Sequence, residues 1–229
     1  MSKSYRETVY RLLILLVGLT IAHLGVTLFM LANLGADPFN VLIQGIHLLT
    51  GKAGLHITHG TVHMAVCFLI ILILLIVDRS YIKAGTVVCM FCGGPIIDFF
   101  SWILQGLGIS QAILPVKVIV LILGCVILAF GMTIVIRSEA GTGPNDLVAV
   151  VISEKSRIRF GAVRIATDVL FVVAGFLLGG KFGVGTLICA FLVGPVADFC
   201  MPVSEAIVRG FLAMLGVSVK SRKQSRRKK

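Results

Sequence analysis

Polar positions are sparse along this chain, and their spacing divides it into six long apolar runs, roughly 11–33, 60–77, 84–104, 116–137, 161–179 and 185–207. The run 12-LLILLVGLTIAHLGVTLFMLA-32 carries no formal charge. About twenty such residues cross a hydrocarbon core of about 30 Å. Two shorter apolar pieces remain, roughly 38–50 and 144–154. At about 1.5 Å per residue they reach only about 17–20 Å, too short to cross. They read as re-entrant, half-buried or interfacial helices. The pattern therefore predicts an all-α polytopic membrane protein with six transmembrane helices. The first run is too long for the apolar core of a secretory signal and lacks a small-x-small cleavage site, so it is expected to stay in the mature chain.

Composition agrees with this reading. Hydrophobic residues make up 58% of the 229 positions, charged residues only 14%, and mean hydropathy is +1.05, all far from a soluble domain. The net charge of +11 sets orientation. With the amino end inside, the inner segments hold Lys3, Arg6, Arg79, Lys83, Arg137, Lys155, Arg157, Arg159 and Arg209, and the outer ones only Lys52, Lys117 and Lys181. Counting the short pieces as full spans would turn 78-DRSYIK-83 outward, against that bias. Both termini are thus expected in the cytoplasm. The tail 220-KSRKQSRRKK-229 has seven basic residues and no acid, which suits anionic lipid headgroups; nothing else resembles nucleic-acid recognition. The six cysteines all fall in apolar runs, and Cys89-x-x-Cys92 lies within one, so helix packing explains them better than redox or zinc chemistry.

The chain repeats itself. The stretch 85-GTVVCMFCGGPIIDF-99 matches 185-GTLICAFLVGPVADF-199 as G-T-x-x-C-x-F-x-x-G-P-x-x-D-F. Upstream, 60-GTVHMA-65 aligns with 161-GAVRIA-166, and Gly25, Gly35 and Pro38 align with Gly131, Gly141 and Pro144. Each unit reads span, short broken or re-entrant helix, span, span. Three spans is an odd number, so the second copy must enter from the opposite side, giving two inverted three-span repeats. The divisions are a cytoplasmic start (1–10), a first repeat (11–107), an external linker (108–115), a second repeat (116–209) and a basic cytoplasmic tail (210–229).

Chemistry belongs to the few polar residues in these runs. Pro95 and Pro195 interrupt their helices, and Asp98 and Asp198 follow a turn later. They are candidate ion, proton or gating sites; the competing role is to partner backbone groups freed by the prolines. Asp168 lies in the fifth run, where the first copy has Cys67. His63 and Arg164 are repeat partners, read either as counter-charges for these acids or as interfacial groups. His56, His59 and His63 are spaced along one helix face, open to metal binding or to a polar helix start, and no metal or other cofactor is assigned. Pro38 and Pro144 open the short helices. Asp37 reads as an N-cap, and Asn40, Asn145 and Asp146 lie in first turns, where free N–H groups and the helix dipole can hold a solute.

The glycine- and proline-bearing turn after the first span of each half, 141-GTGPNDL-147 more closely than 35-GADPFNVL-42, where Asp precedes Pro, together with G-P-x-x-D, resembles the YitT/YczE family of bacterial integral membrane proteins. The resemblance implies a bacterial cytoplasmic-membrane protein and assigns no activity. The leading expectation is a permease for a small polar or anionic solute, its site between the repeats. The alternatives are a solute-binding membrane subunit of a larger importer and an accessory protein without transport. No nucleophile set, HExxH or P-loop is present, so no enzyme activity is expected. A homo-oligomer or a partner subunit stays open.

Overall fold

In hydrocarbon every backbone N–H and C=O must be paired within the protein, which leaves helices as the solution for runs like these. The computed structural model describes residues 3–55 and 59–215, with side chains for 6–55 and 61–215. Its helices are α1 (Lys3–Ala32), α2 (Pro38–Lys52), α3 (His59–Val77), α4 (Ala84–Leu104), α5 (Leu114–Ser138), α6 (Pro144–Ser156), α7 (Phe160–Leu177) and α8 (Val184–Met214). Among the described residues there is no strand. Within α1, α4, α5, α7 and α8 lie five segments long and apolar enough to cross a membrane. Thr61–Val77 in α3 is apolar but shorter.

The centre is the crossing of α1 and α5. A Cβ on Gly25 would fall 2.5 Å from the carbonyl of Gly124, and one on Gly131 2.6 Å from the carbonyl of Gly18. Apolar burial does not drive helices together in lipid, so close backbone approach at small residues has to supply the packing. Around this crossing α4 packs on α1, and α8 on α5. The short helices bridge the halves: α2 packs mainly on α7 and also on α3, and α6 packs on both α7 and α3.

The loops before the short helices are fixed in the same way. Gly185 N donates to Leu34 O, and Gly85 N donates to Ala140 O, both at 2.9 Å. Gly35 and Gly141 sit beside these bonds with φ of 147° and 135°, a region that side chains strain to enter. The threonines of the repeated G-T then differ. The Thr186 hydroxyl donates to Ala36 O at 2.6 Å and accepts from Gly183 N at 3.1 Å. The Thr86 hydroxyl is equally buried but has no hydrogen-bond partner among the described residues. Thr186→Val is therefore expected to cost about 1–3 kcal/mol, and Thr86→Val to be neutral or stabilising. Melting temperatures of the two purified variants check this; equal losses would contradict it.

Polar contacts gather at one end. Arg11 pairs with Glu7 (3.0 Å) and Glu139 (3.1 Å), Glu205 with Arg137 (3.3 Å) and Arg209 (2.6 Å), and Lys155 with Asp78 (3.7 Å). Lys83 Nζ donates to Glu139 O at 2.6 Å, and Tyr81 to Glu154 at 3.1 Å. Asp78 also accepts from the Ser80 hydroxyl and amide, which holds its carboxyl below the usual range. Such pairs, exposed or only partly buried, add little stability singly. Their value is geometric: residues near the amino terminus, 78–83, the end of α5, the end of α6 and residues 205–209 share one basic end.

Candidate functional site

The short helices begin deep in the fold. Asp37 caps α2, accepting from Asn40 N at 3.2 Å and from the Asn40 side-chain amide. Pro38 at the first position costs no hydrogen bond there. α6 starts at Pro144 with Gly143 as its cap residue and no side-chain cap bond, so the amides of its first turn lack that satisfaction. Asn145 and Asp146 lie in this turn, and both are half-buried.

Arg164 projects to this point from α7. Its guanidinium pairs with Asp146 through Nη1, and through Nε with Asp168 at 3.0 Å. Asp168 is fully buried and Arg164 7% exposed, so the pairing is what makes an ionised arginine tolerable there. One oxygen of Asp168 takes the arginine; the other, Oδ1, is buried without a hydrogen-bond partner among the described residues. Asp37 and Asp146 both lie within electrostatic reach of Asp168. His23 of α1 joins from behind, its Nδ1 bonded to Leu19 O at 2.8 Å and its ring facing Gly93 of α4, within reach of Asp146.

The height of this cluster matters. Asp168 lies halfway along α7, and the first turns of α2 and α6 stand on either side of it. Phe39 of α2 stacks edge-on against Phe171 at 5.4 Å, toward one end, while Asp146 meets Arg164, toward the other. Neither short helix starts at an end of the bundle.

Of the residues singled out in the sequence, the structure thus joins Asp146, Arg164 and Asp168, with Asp37 in electrostatic reach of Asp168, Asn40 bonded to Asp37, and Asn145 next to Asp146 in the first turn of α6. His63 sits at the margin, its ring 5.4 Å from Phe39 and its Nδ1 3.8 Å from Cys67 Sγ. Asp198 lies apart, its Oδ1 accepting from Gly161 N at 2.8 Å near the start of α7. Asp98 is exposed on α4, with no hydrogen bond or ion pair among the described residues. His56, the side chain of His59 and the tail 220–229 lie outside the described residues. A separate cleft of about 270 Å³ opens at the basic end, over Gly141 and Thr142, with Lys83, Glu139 and Glu154 in its walls. His23 reads in the sequence as an isolated histidine that packs or hydrogen-bonds, as its bond to Leu19 O shows; its place within reach of Asp146 had no signal there beyond an imidazole midway along an uncharged apolar run.

The comparisons with known proteins place the chain. Residues 9–202 match a family described as of unknown function, DUF6198. The chain belongs to this family. It is also similar to the uncharacterized membrane protein YczE of Bacillus subtilis, with 27% identity over 94% of this chain and 97% of that protein. A second Bacillus subtilis protein, the uncharacterized YyaS, is 26% identical over 82% of this chain and 91% of its own length. An uncharacterized Haemophilus influenzae protein is 28% identical over 81% of both. No solved structure matches the chain at a significant level. The family and these relatives support the resemblance to YczE and the assignment as a membrane protein; none names an activity.

Proposed function

We propose that this family member is a permease-like membrane protein without enzyme activity, built from two inverted three-span repeats, that holds a small polar solute at the Asp146–Arg164–Asp168 cluster. The observation that carries the reading is the meeting of two helix N-termini on either side of a buried ion pair midway along α7. Half-helices that start inside a bundle supply free amides and a positive dipole end, the device by which many transporters bind solutes at mid-membrane. Matched contacts support the repeat: Gly185 to Leu34 and Gly85 to Ala140, Gly25 against Leu128 and Gly131 against Ala22. The shared basic end supports cytoplasmic termini in the cytoplasmic membrane.

Charge refines the solute. Two carboxylates, Asp146 and Asp168, pair with one guanidinium, and a third, Asp37, lies within electrostatic reach of Asp168. Among the small polar or anionic solutes expected from the sequence, that balance suits a polar one bearing an amino group best. Uptake of labelled amines, amino acids, sugars and carboxylates into proteoliposomes tests this. The reading predicts uptake of at least one amino-bearing solute and a fall of about tenfold or more in Asp168→Asn, the loss of one charged partner. Wild-type uptake no better than empty liposomes for the whole panel, or unchanged uptake in folded Asp168→Asn, would remove the site.

A further inference from the structure

The two halves differ in one contact. α7 packs along α8: Gly161 lies against Gly194, where an added Cβ would come within 2.5 Å of the Gly194 carbonyl, and Asp198 holds Gly161 N. α3 and α4 occupy the matching places in the sequence repeat but have no comparable packing among the described residues; α3 lies on α2 and α6, and α4 on α1. The surface for the missing contact is nonetheless present. A Cβ on Gly94, matching Gly194, would meet nothing within 4 Å among the described residues. Asp98, matching Asp198, is exposed on the same helix, and Met64 and Phe68 of α3 are each 59% exposed. A carboxylate on an apolar helix facing hydrocarbon is costly, and a glycine there weakens the helix. Both acquire a use if the face is covered part of the time.

We propose that α3 closes onto α4 in a second conformation as α7 closes onto α8 in this one, and that the two contacts exchange, with Asp98 and Asp198 as alternate latches. This rests on the inverted-repeat permease reading and assigns its gates. The occupant of the α4 face is α3 because the same G-P-x-x-D-F surface on α8 seats α7, the repeat partner of α3. The linkers give each gate its side. α3 and α4 are joined at the basic end through residues 78–83, so their gap opens at the far end. α7 and α8 are joined at the far end through 178–183, and Gly161 and Asp198 meet toward the basic end. The structure is therefore open to the far side and shut at the basic one. Exchange would turn the Asp168 cluster to the other side. Pro95 and Pro195, each one residue beyond the contact glycine, supply the bending points.

The test reads both gates by alkylation in nanodiscs. Met64→Cys reports the α3/α4 gap and Ile165→Cys the α7/α8 contact, each as the maleimide rate above that of the parent chain with its native cysteines. Asp198→Asn weakens the latch at the opposite gate, leaving only a neutral acceptor for Gly161 N, and is expected to slow Met64→Cys by up to about tenfold, the ceiling set by the charge-assisted part of one hydrogen bond. Gly94→Leu blocks closure of α3 onto α4. It is expected to slow Ile165→Cys and to make Met64→Cys insensitive to Asp198→Asn. An unchanged Met64→Cys rate in monodisperse Asp198→Asn overturns the exchange. If that variant does not fold, an unchanged Ile165→Cys rate in Gly94→Leu overturns it instead. A Met64→Cys/Gly94→Cys pair that cross-links only as a band of doubled mass would overturn it too, because a second copy would then cover α4. Labelling that shifts without solute uptake keeps the exchange and removes the permease reading; uptake without reciprocal labelling does the reverse.

Discussion

Gly131→Ala is expected to be among the most damaging single-methyl additions in the chain. The new carbon would meet the backbone of Ala22 and lie 2.6 Å from the carbonyl of Gly18, with no flexible side-chain end to yield. Overpacking commonly costs about 1–3 kcal/mol, and a backbone-on-backbone clash lies at the upper end or beyond. Gly25→Ala meets Leu128 and Gly124 in the same way and should behave alike. Gly210→Ala, in α8 with nothing within 4 Å, is the control and should gain up to about 1 kcal/mol of helix stability. Thermal unfolding in detergent with size-exclusion profiles reads all three. A Gly131→Ala protein as stable as the parent would show that α1 and α5 do not cross at these glycines.

The second large effect is at Arg164. Arg164→Ala leaves Asp146 and the fully buried Asp168 without their cation. Breaking one side of a buried pair costs about 3–5 kcal/mol, because the remaining charge cannot return to water. Asp168→Asn should cost less, since Arg164 keeps Asp146. Arg164→Met combined with Asp168→Leu should recover much of the loss, the apolar pair replacing the ionic one. The same melting experiment reads the series. Arg164→Ala no weaker than Asp168→Asn would mean the guanidinium is solvated, and the cluster would lose its claim to be a built site.

Much of the architecture was legible because lipid restricts the grammar of a chain. Uncharged runs of helix-spanning length had to be helices, and α1, α4, α5, α7 and α8 fall where the runs do. Pro38 and Pro144 announced the two short helices, and both begin at those residues. What a run cannot show is which way a polar residue faces. Asp98, Asp168 and Asp198 looked alike as acids in apolar runs, yet only Asp168 turns to the centre. One signal was available: Arg164 and Asp168 are four apart, which puts both on one helix face and pairs them. The glycine crossing was present as Gly18, Ala22 and Gly25, spaced four and three apart along one face of α1, but a small-residue stripe does not name its partner. The G-T of the repeat read as a pattern without a purpose until Gly85 and Gly185 were seen to hold the loops before α6 and α2. The stretch 35-GADPFN-40 likewise needed the structure: Gly35 bends under Gly183 and Thr186, and Asp37 starts a helix level with the middle of α7.

Depth is therefore the measurement that bears most directly on the account. A nitroxide attached at Asn145→Cys, read above the signal of the parent chain in nanodiscs, reports both its depth and its access to a water-soluble relaxation agent. The account predicts a label near the bilayer midplane that is also wet, unlike a label at Phe199→Cys on the lipid-facing side of α8. A label at headgroup depth would make α6 an interfacial helix. The charged cluster would then be a surface feature, and the proposed solute site would fall.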